Sequence, residues 1–148
     1  MTAKAKEPVR EPIAHIAGNI HRSFLGEMKK LLPDLEIDRF FYPTLLIEEA
    51  EGILSQQELA DKLKCDKVQV VRIIDYLSEK GYIERQQHPS DRRKNVLAVT
   101  EKARGRIPEI REAMKRADSA ILNNLSADRV KVIYAALRKI EENLRVQG

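Results

Sequence analysis

Residues 55–100 read SQQELADKLKCDKVQVVRIIDYLSEKGYIERQQHPSDRRKNVLAVT, and this stretch decides the fold. It begins with Ser55 and, three residues later, Glu58, which is the pattern of a capping box at a helix N-terminus. Asp66 is a second N-cap residue, with Gln69 at the third position of the helix that follows. Two capped helices separated by about three residues predict a helix-turn-helix.

A β-hairpin is expected directly after the second helix. That helix is predicted from Lys67 to Lys80, and Gly81 ends it. Residues 82–87 and 95–100 have the β-branched bulk of strands, and the tip between them reads His88-Pro89-Ser90-Asp91-Arg92-Arg93-Lys94. Helix, turn, helix and basic hairpin form the plan of a winged helix-turn-helix, which offers one helix to a DNA major groove and the hairpin, or wing, to the neighbouring minor groove.

Helical patterns flank this block. Residues 1–12 contain two prolines and are expected to form a flexible arm. Residues 38–51 form a helical pattern in which Pro43 marks either the start or a kink. Thr100 is expected to cap one long helix, and a last helix is expected from about Ser126. Three apolar stripes result: Ile13, Ile16, Ala17, Ile20, Phe24, Met28 and Leu31; Ile107, Ile110, Met114, Ala117 and Ile121; and Val130, Ile133, Leu137, Ile140 and Leu144.

These stripes have no obvious partner in so small a chain, so a second copy is expected to cover them. The sequence therefore predicts a mainly α protein with a small β-hairpin wing, a winged helix-turn-helix embedded in a helical dimerisation frame. We expect the winged domain at 35–103 and the dimerisation region at 13–34 and 104–148. A homodimer also suits a two-fold operator, whose half-sites lie about 34 Å apart.

Polar residues in the first two turns of the second helix are candidates for base recognition. Gln69 can pair with adenine and Arg72 with guanine, whereas Lys67 more often holds a phosphate. Val68 and Val71 can contact a thymine methyl group. The alternative is that Gln69 only completes the cap and that the others form an ordinary solvated face.

Two further groups complete the candidate DNA interface. At the wing, Arg92, Arg93 and Lys94 can enter the negative potential of a narrow minor groove, with Asp91 expected to hold Arg93 through an ion pair. A plain charged hairpin is the alternative for this segment. At the start of the first helix, Ser55, Gln56 and Gln57 can contact phosphate, a role that is compatible with capping.

Composition excludes several other classes of protein. The 148 residues suit one domain, 43% are hydrophobic, and the net charge of +4 is compatible with a polyanionic partner without requiring one. The single cysteine rules out an intrachain disulfide, and the polar N-terminus shows no secretory signal. We expect a soluble, cytoplasmic protein with no membrane contact.

No catalytic or metal-binding pattern stands out. The three histidines lack zinc-ligand spacing, and neither a nucleophile motif nor a phosphate-binding glycine loop is present, so neither enzyme activity nor a cofactor is expected. Cys65 precedes a helix N-terminus, a place that can favour a thiolate. A redox role is one interpretation of Cys65, and a small packing residue is the other.

The motifs resemble those of the MarR family of bacterial transcriptional regulators. They are Gln57-Glu58-Leu59-Ala60, the run from Asp66 to Leu77, Gly81-Tyr82-Ile83-Glu84-Arg85, Asp91-Arg92-Arg93, and Leu97-Ala98-Val99-Thr100-Glu101-Lys102. The resemblance implies a roughly triangular homodimer on a pseudo-palindromic operator, usually as a repressor. It also implies release by a small aromatic or anionic effector in the cleft between the dimer helices and the winged domain.

The chain departs from that family at two places. Val68 and Val71 stand where Ser or Thr is common, which argues against polar contacts there. Cys65 lies at the turn and not in the first helix, so the peroxide-sensing mechanism of some members does not carry over. The effector site is unknown: His21, Phe24 and Tyr42 are candidates to line the cleft, although helical periodicity places them in the core.

A winged-helix module that binds protein and never reads DNA is the rival hypothesis. The basic wing favours DNA, because protein-docking surfaces are depleted in lysine and enriched in aromatic residues.

Overall fold

The computed structural model describes residues 3–145, in nine elements. The ends of two expected regions, residues 1–2 of the arm and 146–148 of the dimerisation region, lie outside the described residues. Residues 3–12 form no helix or strand. The elements are α1 (Ile13–Leu31), α2 (Phe41–Glu49), α3 (Gln56–Leu63), α4 (Lys67–Glu79), β1 (Ile83–Gln87), β2 (Asn95–Val99), α5 (Glu101–Arg104), α6 (Ile107–Ile121) and α7 (Ala127–Arg145).

The helix-turn-helix forms through the two predicted caps. The Ser55 side chain accepts a hydrogen bond from the Glu58 amide, and the Glu58 carboxylate accepts one from the Ser55 amide, so the capping box is complete. Lys64 ends α3 in the left-handed conformation, with φ 55°, and Asp66 then caps α4 by accepting from the Gln69 amide at 2.8 Å. The turn between the two helices is therefore only three residues long, from Lys64 to Asp66.

The wing is a two-stranded antiparallel hairpin. Its register runs from Ile83 opposite Val99 to Gln87 opposite Asn95. The Leu97 amide also donates to the Leu54 carbonyl at 2.8 Å, which attaches β2 to the segment before α3. This attachment places the base of the wing beside the start of the helix-turn-helix.

The predicted second helix is shorter than its pattern. Asp38 and Glu51 both have positive φ, 52° in each case, which an α-helix cannot accommodate, so α2 spans only Phe41–Glu49. Pro43 lies in its first turn, where a missing amide hydrogen costs no helical hydrogen bond. Pro43 thus marks the start of the helix and not a kink.

The single long helix expected after Thr100 was wrong. Thr100 does cap a helix, but α5 ends at Arg104 and α6 begins anew at Ile107. Pro108, at the second position of α6, has no amide hydrogen to donate to the Arg104 carbonyl, and its ring would clash with that group in a continuous helix. Arg106 spans the break, with two bonds to Asp34 at 3.1 and 3.2 Å and two to Glu109 at 2.9 and 3.2 Å.

The expectation that all three terminal stripes lack a partner within the chain was also wrong. Helix α1 packs on α6, and Met28, Ile110, Ala113 and Ala117 are buried in one core with the winged domain. The first half of α1 and the whole of α7 remain unburied. Their exposed apolar residues include Ile13, Ile16, Ile20, Val132, Leu137 and Leu144, the last 73% exposed.

Candidate nucleic-acid interface

Helix α4 has one buried face and one free face. Val70, Ile74 and Leu77 follow helical spacing and are buried in the core. Lys67, Val68, Gln69 and Arg72 are exposed on the other side, and Val71 is half-buried between the two faces. Val68 is 62% exposed, an unusual place for an aliphatic side chain on a helix whose apolar residues otherwise face inward.

The polar side chains on the free face of α4 have no partner within the described chain. Across residues 3–145, Lys67, Gln69 and Arg72 form neither an ion pair nor a side-chain hydrogen bond. Gln69 does complete the α4 cap, through its backbone amide, which donates to the Asp66 carboxylate. Its side chain forms no hydrogen bond in that cap. The Gln69 side chain therefore keeps its amide donors and acceptor free.

At the start of α3 the capping role dominates. The Ser55 hydroxyl accepts from the Glu58 amide, and Gln57 donates to Asp61 at 2.9 Å on the next turn. Gln56 makes no side-chain hydrogen bond within the part of the chain that the structure describes. Of the three phosphate candidates, Gln56 alone has an uncommitted side chain.

The wing tip is held by hydrogen bonds to its backbone. The His88 amide donates to the Lys94 carbonyl at 2.8 Å, and the Ser90 amide donates to His88 Nδ1 at 3.0 Å. The Asp91 carboxylate accepts from the Arg93 backbone amide, also at 3.0 Å. The predicted ion pair between Asp91 and the Arg93 guanidinium was wrong, because this two-residue Asx turn occupies the carboxylate.

The cations of the tip are therefore free. Arg92, Arg93 and Lys94 are exposed and make no ion pair with any residue from 3 to 145. The tip is too short to bury them, so all three charges project into solvent.

A cleft of about 320 Å³ joins the α3 start to the base of the wing. It is lined by Ser55, Gln56, Gln57, Glu58, His88 and Lys94, among others. Hydrogen bonding to Ser55, with smaller contributions from Lys94 and His88, lowers the pKa of Glu58. The α3 and wing candidates thus share one surface.

Residues that the sequence reasoning missed hold the wing against α4. The Arg85 guanidinium on β1 bonds to Asp75 on α4 at 2.8 Å. Lys102 donates to the Lys80 carbonyl at the end of α4, and its ammonium lies 4.6 Å from the ring centre of Tyr82. The Gly-x-x-x-Arg spacing before the tip includes Arg85, but no periodicity in the sequence indicates its partner.

The junction between α4 and the wing is closed by Thr100. Its hydroxyl donates to the Gly81 carbonyl at 2.6 Å and accepts from the Ala103 amide at 3.2 Å. Gly81 has φ +80°, a conformation that side chains other than glycine rarely adopt. One threonine therefore caps α5 and also closes the turn that redirects the chain after α4.

The surroundings of Cys65 favour the packing interpretation over the redox one. It is half-buried against the core, and burial, with a smaller contribution from the Asp66 charge, raises the pKa of its thiol. A thiolate-based sensor needs the opposite shift.

The cleft candidates are not grouped as expected. His21 and Tyr42 are exposed, Tyr42 by 51%, so the periodicity that placed them in the core was wrong, whereas Phe24 packs against the core. A cleft of about 600 Å³ lies between α7 and the end of α3. It includes Tyr42 but neither His21 nor Phe24.

Residues 3–145 contain no group of three or more His, Cys, Asp or Glu side chains placed to hold a metal ion. In the same range, no helix combines the length and the apolar character needed to cross a bilayer.

Known proteins share both the central motif and the whole fold. The model of the MarR family matches residues 45–94. A crystal structure of MarR is 28% identical, covers 91% of this chain and 99% of its own, and superposes with a TM-score of 0.67.

The central third of the chain is thus similar to the MarR family, and the whole chain is similar in fold to MarR itself. The matched segment contains α3, α4 and the wing tip, which are the elements that carry the candidate interface.

Two more distant structures share the fold. A MarR-family transcriptional regulator from Listeria monocytogenes, solved with a 26-mer DNA, is 24% identical, with a TM-score of 0.74 over 92% of this chain and 90% of its own. A MarR protein from Peptoclostridium difficile is 21% identical, with a TM-score of 0.79 over 99% and 96%. Winged domain and flanking helices therefore follow the MarR arrangement over nearly the whole chain.

The capping box predicts a pH dependence of stability. Because the pKa of Glu58 is lower in the folded protein, its carboxylate stabilises the fold above its ordinary pKa of 4.5, and this contribution is lost as the pH falls through the folded value. Replacing Glu58 with Gln should lower the free energy of unfolding by about 0.5 kcal/mol at about pH 6 and by less at about pH 3, as measured in urea. Glu112→Gln is the control. If the difference in the free energy of unfolding between Glu58→Gln and the unmodified protein does not change with pH, the stabilising role of the Glu58 carboxylate is contradicted.

Proposed function

We propose that this protein is a MarR-family transcriptional regulator that binds double-stranded DNA as a homodimer, with α4 of each protomer in a major groove and each wing in the adjacent minor groove. The supporting observation is the free face of α4, where Lys67, Gln69 and Arg72 have no partner in residues 3–145. Such donors are available to a polyanion, and the side chains include the two types best suited to adenine and guanine.

Each residue has a proposed role. Gln69 and Arg72 read base edges, and Lys67 holds a phosphate. Val68, which is exposed, contacts a thymine methyl group, and Val71 contributes the exposed part of its side chain. Gln56 contacts phosphate directly, whereas Ser55 and Gln57 act mainly by shaping the start of α3.

At the wing, Arg92, Arg93 and Lys94 supply charge to the minor groove or to its phosphates. Asp91 acts indirectly, since its bond to the Arg93 amide shapes the tip that presents these cations. The wing is the most concentrated group of unpaired cations in the proposed interface, so it should contribute strongly to the salt dependence of binding.

The dimer is proposed from the apolar surface that the protomer leaves exposed. The first half of α1 and all of α7 carry aliphatic side chains at helical spacing, and none of the α7 residues is buried. A second copy that packs α1 and α7 against the same elements would remove this surface from water. The dimerisation region proposed here is therefore 13–34 with 104–148, and the winged domain is 35–103.

We further propose repression of the bound operator and release by a small molecule. The cleft of about 600 Å³ beside α7 supports the second part. Apolar and aromatic side chains line it, including Tyr42, Tyr134 and Leu137. Lys62 and Arg138 provide cations, whereas Lys64 is paired with the Glu141 carboxylate, which also lines the cleft. Such a lining suits an aromatic anion. Repression rests on the family resemblance alone.

The rival function, a protein-docking winged helix, has less support. Apart from Val68, the large side chains exposed on α4 are polar, and the wing tip carries unpaired cations instead of aromatic residues. An affinity for a protein partner with no preference among DNA sequences would favour the rival.

Base recognition by α4 is testable by selection from a random duplex pool. The unmodified chain should enrich one two-fold symmetric sequence. Gln69→Ala and Arg72→Ala should each reduce discrimination at one base pair per half-site by about 10- to 100-fold, because each removes a bidentate contact. Lys67→Ala is the control and should weaken all sequences alike; the proposed roles fail if the three variants select the same site with the same stringency.

The contribution of the wing to DNA binding is testable from the salt dependence of the affinity. Arg93→Ala should weaken operator binding and reduce the slope of log affinity against log salt by about 0.9 per protomer, the value for one lost phosphate contact. Fluorescence anisotropy at several salt concentrations measures both quantities. Arg116→Ala, which removes an arginine from α6, should leave the slope unchanged. An unaltered slope in Arg93→Ala would exclude the wing from the interface.

Dimerisation is measured by sedimentation equilibrium. The 17.0 kDa chain should sediment at about twice this mass at micromolar concentration. Ile20→Glu, on the exposed face of α1, should shift the population toward monomer because it buries a charge in the proposed interface. Val68→Glu changes an equally apolar exposed site on α4 and should remain dimeric; the same mass in both variants would contradict this interface.

A further inference from the structure

Helix α7 is attached to the rest of the protomer by very little. None of its residues is buried. Within residues 3–145 a single ion pair joins an α7 side chain to another element, between Glu141 and Lys64. The other ion pair on this helix, Lys139 with Glu142 at 3.6 Å, is internal to it. Apart from its connection to α6, α7 is therefore joined to the helix-turn-helix through the Glu141 side chain.

The partner of Glu141 occupies a special place in the fold. Lys64 is the residue that ends α3, in the left-handed conformation, and Asp66, two residues later, caps α4. The Lys64 amide is held by the carbonyls of Ala60 and Asp61, so its backbone has little freedom. A displacement of the Lys64 side chain should therefore also shift the N-terminus of α4, which begins three residues later.

The charges around Glu141 favour this pairing. Its hydrogen bond to Lys64, assisted by the nearby charges of Lys64, Arg145 and Arg138, lowers the pKa of the Glu141 carboxyl group. Arg138 and Arg145 lie on α7 itself, three residues before and four residues after Glu141. The carboxylate nevertheless bonds to the lysine of the helix-turn-helix.

We infer that Glu141 and Lys64 are positioning residues, whose ion pair sets the separation of the two α4 helices in the dimer and so the operator spacing that the protein accepts. This inference rests on the proposed function: α7 belongs to the dimer frame and α4 reads DNA. Within residues 3–145 of each protomer, this is the one ion pair between α7 and the helix-turn-helix. Because the pair is exposed, it adds little to folding stability, and its effect lies in orientation.

The test compares the selected operator with versions that have one base pair inserted or deleted at its centre. Each change shifts one half-site relative to the other by about 3.4 Å along the duplex axis and rotates it about that axis. The unmodified protein should bind both altered operators much more weakly than the original. Glu141→Gln should reduce this spacing penalty by about three- to five-fold, the scale of one exposed ion pair. Lys64→Asn should do the same, since asparagine tolerates the left-handed conformation and leaves α7 unchanged.

Matched controls separate positioning from charge. Glu142→Gln removes a neighbouring α7 carboxylate that pairs only within its helix, and Lys115→Gln removes an exposed α6 cation that forms no ion pair with any residue from 3 to 145. Both should keep the spacing penalty of the unmodified protein. The reversed pair, Lys64→Glu with Glu141→Lys, should restore most of the penalty that either reversal alone removes.

The outcomes distinguish the two proposals. Absence of specific binding by the unmodified protein would refute the proposed function itself. Specific binding with the same spacing penalty in Glu141→Gln, Lys64→Asn and the controls would overturn the inference and leave the function standing. A penalty that falls in both single variants but is not restored by the reversed pair would also overturn it, because the loss would then not come from the ion pair.

Discussion

The short turn between α3 and α4 is the constraint on which the rest of the structure depends. Lys64 stops α3 by entering the left-handed region, and Asp66 starts α4 by accepting a hydrogen bond from the Gln69 amide. With both helix ends fixed, the rotation of α4 about its axis is fixed too. Val70, Ile74 and Leu77 must face the core, so Lys67, Gln69 and Arg72 must face solvent. The proposed reading surface follows from this rotation.

The wing is tied to that same helix at three levels. Thr100 closes the turn at Gly81, Lys102 bonds to the last carbonyl of α4, and Arg85 reaches back to Asp75 on its flank. Individually these exposed contacts are weak, but together they leave one relative orientation for α4 and the hairpin. A groove-reading helix and a minor-groove finger must be held in a fixed geometry if both are to engage one duplex.

The helices at the two ends of the chain contribute unequally to the core of the protomer. Helix α6 and the second half of α1 complete the core of the protomer, and Arg106 secures the break between α5 and α6 to the loop before α2. Helix α7 and the start of α1 add nothing to that core. Elements that cost conformational entropy to order and bury no surface within the protomer are best explained by an assembly that buries them. This division also explains why a single ion pair to the helix-turn-helix can matter for geometry.

The sequence by itself determined the features that depend on neighbours along the chain. The two N-caps, the glycine stop after α4, the turn chemistry of the tip and the free faces of α4 and the wing are local consequences of residue type, and all were predicted. It did not determine where α2 begins and ends, because positive φ at Asp38 and Glu51 is not encoded by a clear residue signal. The break between α5 and α6 does have a sequence signal, Pro108, which the expectation of one long helix passed over. Nor did it determine which group Asp91 bonds to, since a carboxylate near an arginine can accept a hydrogen bond from the arginine backbone amide as well as pair with its guanidinium.

Contacts between residues distant in sequence were decided only by the tertiary structure. No periodicity indicates that Arg85 meets Asp75, that the α6 stripe is buried by α1, or that Glu141 reaches Lys64 across 77 positions. An apolar stripe predicts that one face of a helix will be buried, but it does not indicate which element or which copy will bury it. The turns at Gly105 and at 122–126 set the directions of α6 and α7. These directions decide whether the apolar stripe of each helix is buried within the protomer or left for a second copy. Those directions are set by packing in three dimensions.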